Sequence, residues 1–145
     1  ISGGGDVIQF FVPCRLQNLT NTRGHWSIRH RYSSQLRAIT AALGTEASRS
    51  MEVHPEAPKA ITFIAYVRRR FDEDGLQAAV KPIRDGLQVA TPAVVNDGRM
   101  LKAAQVGCGL IHSDGIHGGH RFEYRQELVK RGGQVGVFVS IEPIS

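Results

Sequence analysis

The alternation of apolar and polar residues predicts several strands along the chain. The clearest are a short β-type run from Val7 to Val12, a run rich in β-branched and aromatic residues from Ala60 to Val67, and an alternating run from Gln134 to Glu142. A weaker strand, interrupted by glycines, is predicted from Leu101 to Ile111, and residues 121–126 are expected to extend a strand.

Apolar residues that recur every three or four positions predict two helices. The first has one apolar stripe, formed by Ile28, Tyr32, Leu36, Ile39 and Leu43. Gly44 stands where the glycine that ends a helix is often found. The second helix is predicted from Asp74 to Val89, with an apolar face formed by Leu76, Val80, Ile83 and Leu87. Pro82 is expected to kink this helix, because proline lacks a backbone N–H.

Polar, glycine- and proline-rich stretches between these elements predict the loops. They cover residues 14–25, 45–59, 90–99 and 112–119. The resulting order is β-α-β-α-β-β, which predicts a single α+β domain over residues 6–145, with two main helices on one face of a small mixed sheet. Residues 1–5 are expected to be a flexible terminus, or a remnant foreign to the natural protein, outside this domain.

Length and composition restrict the class of protein. The 145 residues fit one domain, and no apolar run approaches the 18 residues that a transmembrane helix requires. The first residues lack the pattern of a secretory signal. The two cysteines, Cys14 and Cys108, are too few for a disulfide scaffold and are expected to be buried or half-buried thiols. We therefore expect a cytoplasmic protein without a membrane partner.

The positive charge is distributed unevenly. The net charge is +5, and 14 of the 18 basic residues are arginine, whose planar fork grips phosphate at two points. No acidic residue lies between Val7 and Thr45, a stretch that contains Arg15, Arg23, Arg29, Arg31 and Arg37. Arg68, Arg69 and Arg70 form a second basic run. This pattern favours binding to a phosphate backbone. In the alternative interpretation, the arginines only form a solvated helix face.

The acidic residues that follow suggest a metal site. Asp72 and Asp74 lie two apart at a strand end, where extended backbone would direct both carboxylates to one point. Such oxygen ligands suit Mg²⁺. On the helix that follows, Lys81 and Asp85 lie on the face opposite the apolar one. In the alternative interpretation, Asp74 caps the helix with Gln77, and Lys81 and Asp85 form an ordinary surface pair.

This segment resembles the RusA-like Holliday junction resolvases, which are common in phages and prophages. The matching residues are Asp72-Glu73-Asp74-Gly75, Lys81-Pro82, Asp85-Gly86-Leu87 and Asn96-Asp97-Gly98. The Asn-, Arg- and His-rich segment from Asn18 to Leu43 is also similar, as is Phe122-Glu-Tyr-Arg-Gln126. The chain departs from the family at Gly75 and Asn96, and Lys81 lies one helical turn farther from Asp74 than usual.

The resemblance implies a RusA-like fold and Mg²⁺-dependent hydrolysis of DNA phosphodiesters at four-way junctions, in recombination and repair, with Mn²⁺ as a substitute. It implies metal ligands at Asp72, Asp74 and Asp97, a charge-neutralising Lys81, and an orienting role for Asp85. The arginines expected to hold DNA are Arg23, Arg29, Arg31, Arg68, Arg69 and Arg70. A C2 homodimer in a bacterial or phage-infected cell is also implied, because the junction has two-fold symmetry.

Other functions stay open at this point. The departures at Gly75 and Asn96 allow a DNA-binding or structural module that has lost catalysis, and the motif also suits a nuclease that acts on flaps or single strands. His112, His117 and His120 are interpreted as part of a surface loop rather than a metal site. Trp26 is expected in the core, and its alternative role is to stack on an unpaired base.

Overall fold

The computed structural model describes residues 7–17, 26–112 and 119–144 and confirms a small α+β domain with a mixed sheet and two helices. Residues 1–5, most of the 14–25 loop and much of the 112–119 loop therefore lie outside the described part. The elements, in chain order, are β1 (Ile8–Pro13), α1 (Trp26–Ala47), β2 (Lys59–Val67), α2 (Glu73–Gly86), β3 (Val94–Asn96), β4 (Arg99–Lys102), β5 (Arg121–Leu128) and β6 (Gly136–Pro143).

Four strands form the main sheet in the order β1-β6-β2-β5. β6 runs antiparallel to both β1 and β2, whereas β2 and β5 are parallel. A parallel pair needs a long crossover connection. Here that connection contains α2 and a separate hairpin of β3 and β4. Since β1 and β2 both oppose β6, they point the same way, and their last residues lie at the same end of the sheet.

One face of the sheet carries the hydrophobic core. Along β2, Ile61, Phe63, Ala65 and Val67 are buried, while the alternate residues are half-buried on the other face. Buried side chains from both helices belong to the same core cluster. The apolar face predicted for α2 is confirmed, because Leu76, Val80, Ile83 and Leu87 are all at most 4% exposed.

The buried face of α1 differs from the predicted stripe. Ile28 and Ile39 are 47% and 40% exposed, whereas Tyr32 and Leu36 are buried as expected. Thr40, which was not part of the predicted stripe, is completely buried instead of Ile28 and Ile39. The prediction of Gly44 as the end of the helix was also wrong, because α1 continues to Ala47.

Close packing explains these differences. A Cβ on Gly86 of α2 would lie 2.8 Å from the Arg37 carbonyl oxygen and 2.8 Å from the Thr40 Cβ. A Cβ on Gly44 would lie 2.6 Å from the Cys108 Sγ. Glycine at these positions therefore allows close approach between α1 and its neighbours, which turns the small Thr40 inward and Ile39 outward.

The region between α2 and β5 also differs from the sequence prediction. α2 ends at Gly86 instead of Val89, although it runs through Pro82. The predicted 90–99 loop contains half of a β-hairpin, and the predicted strand from Leu101 to Ile111 ends at Lys102. Residues 105–111 instead run beside residues 86–91, joined by backbone hydrogen bonds such as Leu110 N–H to the Leu87 carbonyl at 2.8 Å. The 121–126 run is a full strand, β5.

Both cysteines are half-buried free thiols. Burial raises the pKa of Cys14 to about 11, and burial likewise raises the pKa of Cys108 to about 11. These thiols are therefore poor nucleophiles at neutral pH. Among the described helices, none is both long and apolar enough to cross a membrane.

Candidate functional site

The candidate site lies where β2 passes into α2. Arg68, Arg69 and Arg70 follow β2 directly and are all exposed. Asp72 is the N-cap of α2, with extended backbone, and its Oδ1 accepts a hydrogen bond of 2.8 Å from the Gly75 N–H. Aspartate is among the best N-cap residues, since its carboxylate satisfies a backbone donor that has no partner in the helix.

The cap position corrects two expectations from the sequence. The cap is Asp72 rather than Asp74, so Gln77 is not the third helical residue of a capping box. Asp74 lies in the first turn of α2, together with Glu73. Asp72 and Asp74 therefore do not share an extended segment that would direct both carboxylates to one point. Both remain exposed at the positive end of the helix dipole, where negative charge is stabilised.

A glutamine from the neighbouring strand fixes the residue before the cap. The Phe71 N–H donates to the Gln126 Oε1, and the Gln126 Nε2 donates to the Phe71 carbonyl, each at 2.8 Å. The side-chain amide thus makes the paired bonds that a neighbouring strand would make. Gln126 lies on β5, in register with Ala65 of β2. This contact holds the acidic turn against the sheet. Gln126 belongs to a stretch that resembles the RusA-like family, but the sequence predicted no role for it.

A groove beside this turn is lined by four arginines. This basic groove has a volume of about 660 Å³, and its polar lining residues are Arg15, Arg68, Arg69, Arg70, Tyr66 and Asp72. Arg15 was not predicted as a site residue, although it belongs to the acid-free stretch. Pro13 and Tyr66 both pair with Gly136, so the chain leaves β1 and β2 at the same level. That shared end of the sheet brings Arg15 to the three arginines.

The outer face of α2 carries an ion pair. Lys81 Nζ lies 2.9 Å from the Asp85 Oδ1, and the two side chains are 55% and 23% exposed. The Gln88 Nε2 also donates to this oxygen, at 3.5 Å. The interpretation of Lys81 and Asp85 as a surface pair therefore fits the structure.

Asp97 lies in a different part of the fold. With Gly98 it forms the two-residue turn of the β3–β4 hairpin, where both residues have positive φ angles of 53° and 73°. Asp-Gly is a preferred pair for such a turn. Within residues 7–17, 26–112 and 119–144, no three acidic, histidine or cysteine side chains are grouped closely enough to hold a metal ion. The structure thus does not bring Asp97 together with Asp72 and Asp74 as a three-ligand site.

The remaining predicted residues are only partly described. Arg29 and Arg31 are exposed near the start of α1. Arg23, His117 and the Trp26 side chain lie outside the described residues. His120 is not simply a surface-loop residue, because its half-buried ring accepts a hydrogen bond of 3.2 Å from the Lys59 N–H. Burial, followed by the charges of Lys59 and His112, lowers the pKa of His120.

Comparisons with known proteins leave the family open. No family model, curated protein or solved structure matches this chain. The chemical arrangement that these residues define is an arginine-lined groove beside two exposed carboxylates at the start of a helix.

Proposed function

We propose that the protein is a Mg²⁺-dependent endodeoxyribonuclease that cuts branched DNA, with the four-way junction as its substrate. The observation that carries the proposal is the basic groove, because four arginines from two segments line one cavity next to Asp72. This arrangement suits a polyanion that passes close to a carboxylate. The proposal also rests on the RusA-like motif, which begins at the same aspartate.

The arginines account for DNA binding in this proposal. Each guanidinium can hold two phosphate oxygens, and neutralising phosphates releases counterions from the duplex. Arg15 and the run from Arg68 to Arg70 would hold one strand in the groove. Arg29 and Arg31, exposed on α1, would contact a further part of the branched substrate. None of these contacts distinguishes bases, so recognition would depend on the shape of the DNA.

The carboxylates of Asp72 and Asp74 would supply part of the coordination shell of a magnesium ion. Magnesium is usually bound through one or two carboxylates together with substrate phosphates and several waters. Asp72 and Asp74 are exposed and supply such carboxylates, so DNA phosphates would have to complete the site. A bound metal would supply an activated water and polarise the phosphoryl group. Asp97 belongs to no three-ligand group in the described part of the chain, and the proposal does not depend on it.

The residues of the chain would position the reacting strand. Asp72 is already oriented by its bond to the Gly75 N–H, and Gln126 fixes the preceding backbone. Lys81 would leave its ion pair with Asp85 and bind the substrate instead. There it would neutralise the charge that develops on the phosphate. Two copies related by two-fold symmetry would present two such sites to the opposed strands of a junction.

A second candidate is a DNA-binding module without catalysis. Three observations favour it: Asp72 is used as a helix cap, Lys81 is paired with Asp85, and the described residues contain no three-ligand metal group. The same groove would then bind branched DNA without cutting it.

The test is an assay of binding and cleavage on labelled DNA of defined shape. We expect the protein to cut a synthetic four-way junction in Mg²⁺ or Mn²⁺, but not in a chelator, and to leave a linear duplex of the same sequence intact. Binding of the junction without cleavage in either metal would support the module instead. Preferential cutting of a flap or single strand would assign the activity to another class of nuclease.

A further inference from the structure

In the described part of the chain, β5 is an edge strand of the main sheet. In the sheet it pairs only with β2, and no other described strand lies along its outer edge. An unpaired edge of eight residues presents a row of backbone donors and acceptors to which another strand can add. Proteins normally protect such an edge or use it for association.

The outer face of β5 carries charges of alternating sign. Arg121, Glu123, Arg125 and Glu127 occupy every second position and are all exposed. Within one chain, the Arg125 Nη2 lies 2.7 Å from the Glu123 Oε2, and both side chains are more than half exposed. This charge pattern is complementary to its own reverse. If a second copy of the strand runs antiparallel with Tyr124 opposite Tyr124, each arginine lies opposite a glutamate.

From this pattern we propose that the outer edge of β5 is an interface for a second copy of the chain, paired antiparallel across a two-fold axis at Tyr124. In this register Arg121 of one copy faces Glu127 of the other, and Glu123 faces Arg125. Residues directly opposite in an antiparallel pair have side chains on the same face, so all four ion pairs form on one surface. Two four-stranded sheets become one sheet of eight strands.

No other register of β5 gives four pairs of opposite sign, and the neighbouring antiparallel registers bring like charges together. A shift of two residues in one direction places Arg121 opposite Arg125 and Glu123 opposite itself. A shift in the other direction places Glu123 opposite Glu127 and Arg125 opposite itself. A parallel in-register pair would face every charge with its like. Like charges directly opposite each other destabilise a strand pair, so the charges of β5 favour the register centred on Tyr124.

Space for a partner lies beside β5. A cleft of about 840 Å³ lies between β5 and the start of α2, and its β5 lining runs from Phe122 to Glu127, with residues of both faces of the strand. The opposite edge of the sheet is less suitable, since β1 has no charged residue to set a register and ends in Pro13. A second copy fits the β5 edge better than an unrelated peptide because the charge pattern is complementary to itself.

This interface would supply the two-fold dimer on which the proposed function relies. Its own evidence is the strand and its charges, so it can be tested without DNA or metal. A failure of the dimer would leave the nuclease assay to be judged separately, and inactive protein could still dimerise.

The test uses charge reversals measured by sedimentation or light scattering over a concentration series. Arg125→Glu places Glu opposite Glu123 in both symmetry-related pairs, and Glu123→Arg places Arg opposite Arg125. Each single variant should raise the dimer dissociation constant by about tenfold or more. An equimolar mixture of the two variants should restore the dimer, because every cross-strand pair in the mixed dimer is again of opposite sign.

Arg49→Glu is the matched control, because it makes the same charge change at an exposed ion pair on another surface. It should leave the dissociation constant unchanged. Circular dichroism and thermal melting would verify that all variants are folded. A wild-type chain that stays monomeric at high micromolar concentration would overturn the proposal. So would single variants that dimerise normally, or a mixture that is no more dimeric than its components.

Discussion

The Gln126 side chain holds the backbone of Phe71 through two hydrogen bonds of 2.8 Å, one to the N–H and one to the carbonyl. Phe71 directly precedes Asp72, the cap of α2. A residue on β5 therefore fixes the start of α2, where Asp72 and Asp74 lie. The order of the sheet makes this possible, since β5 lies beside β2 and the chain leaves β2 toward α2.

Replacing Gln126 by Leu tests this positioning role. Leu removes both partners of the Phe71 backbone, and leaving part-buried polar groups unsatisfied should cost about 1–3 kcal/mol of the free energy of unfolding. Cleavage should fall more than junction binding, because the acidic turn loses its anchor while the arginines remain. The measurements are urea unfolding and parallel cleavage and gel-shift assays. Gln9→Leu, which removes an exposed side-chain bond to Ser140, is the control and should change little.

Arg15 is predicted to contact DNA, although the sequence alone did not single it out. Arg15→Ala should weaken binding to junctions of any sequence and reduce the slope of log affinity against log salt by about one unit. The check is a salt titration of junction binding. Arg49→Ala, on a surface away from the basic groove, is the matched control. A loss that depends on DNA sequence, or an unchanged slope, would exclude a phosphate contact.

The two thiols predict a specific pH dependence. Burial raises the pKa of Cys14 and Cys108 from 9.0 to about 11 in the folded protein. Between these values the unfolded chain loses thiol protons that the folded chain keeps, so the thiols favour unfolding as pH rises from about 9 to about 11. Wild type should therefore lose more stability in this interval than a Cys14→Ala, Cys108→Ala variant, as measured by urea unfolding. An equal loss in both proteins would contradict the burial effect.

Alkylation offers a second test of the thiols. The thiolate is the reactive form, so near pH 8 the folded thiols should react about 100-fold more slowly with iodoacetamide than those of the urea-unfolded chain. Rapid modification of the native protein would show that the cysteines are accessible and ionised.

The elements with strong local signals could be predicted from the sequence. Apolar and polar residues alternate clearly in β2 and β6, and the apolar face of α2 follows the helical period. Each pattern reflects the burial of one face of the element in the core. The buried face of α1 could not be predicted in full. It depends on how closely Thr40 and Gly44 approach α2 and Cys108, and such contacts are tertiary. The segment from Leu101 to Ile111 was predicted as one strand, but it contains two different structures. Its first residues end the β3–β4 hairpin, and residues 105–111 form an irregular segment beside residues 86–91.

The candidate site was predicted less completely than the fold. The sequence identified the segment from Arg68 to Asp74, because its charges are adjacent along the chain. It could not place Arg15 or Gln126 at this site, since their proximity to the segment depends on the order of strands. The alternative interpretation placed the cap at Asp74, whereas the structure has it at Asp72, because the start of a helix is defined by hydrogen bonds and not by residue type. Asp97 forms the turn of a hairpin that was predicted as a loop, and the described residues contain no group of three acidic, histidine or cysteine side chains that includes it.

The most direct measurement of the central claim is the cleavage rate of a four-way junction in Mg²⁺ by wild type, Asp74→Asn and Glu73→Gln. Both substitutions remove one exposed negative charge from the first turn of α2, so both variants should fold and bind the junction. If Asp74 is a metal ligand, Asp74→Asn should lower cleavage by orders of magnitude, with binding unchanged or tighter, while Glu73→Gln should cut at nearly the wild-type rate. A folded Asp74→Asn protein that cuts as fast as wild type would contradict the account.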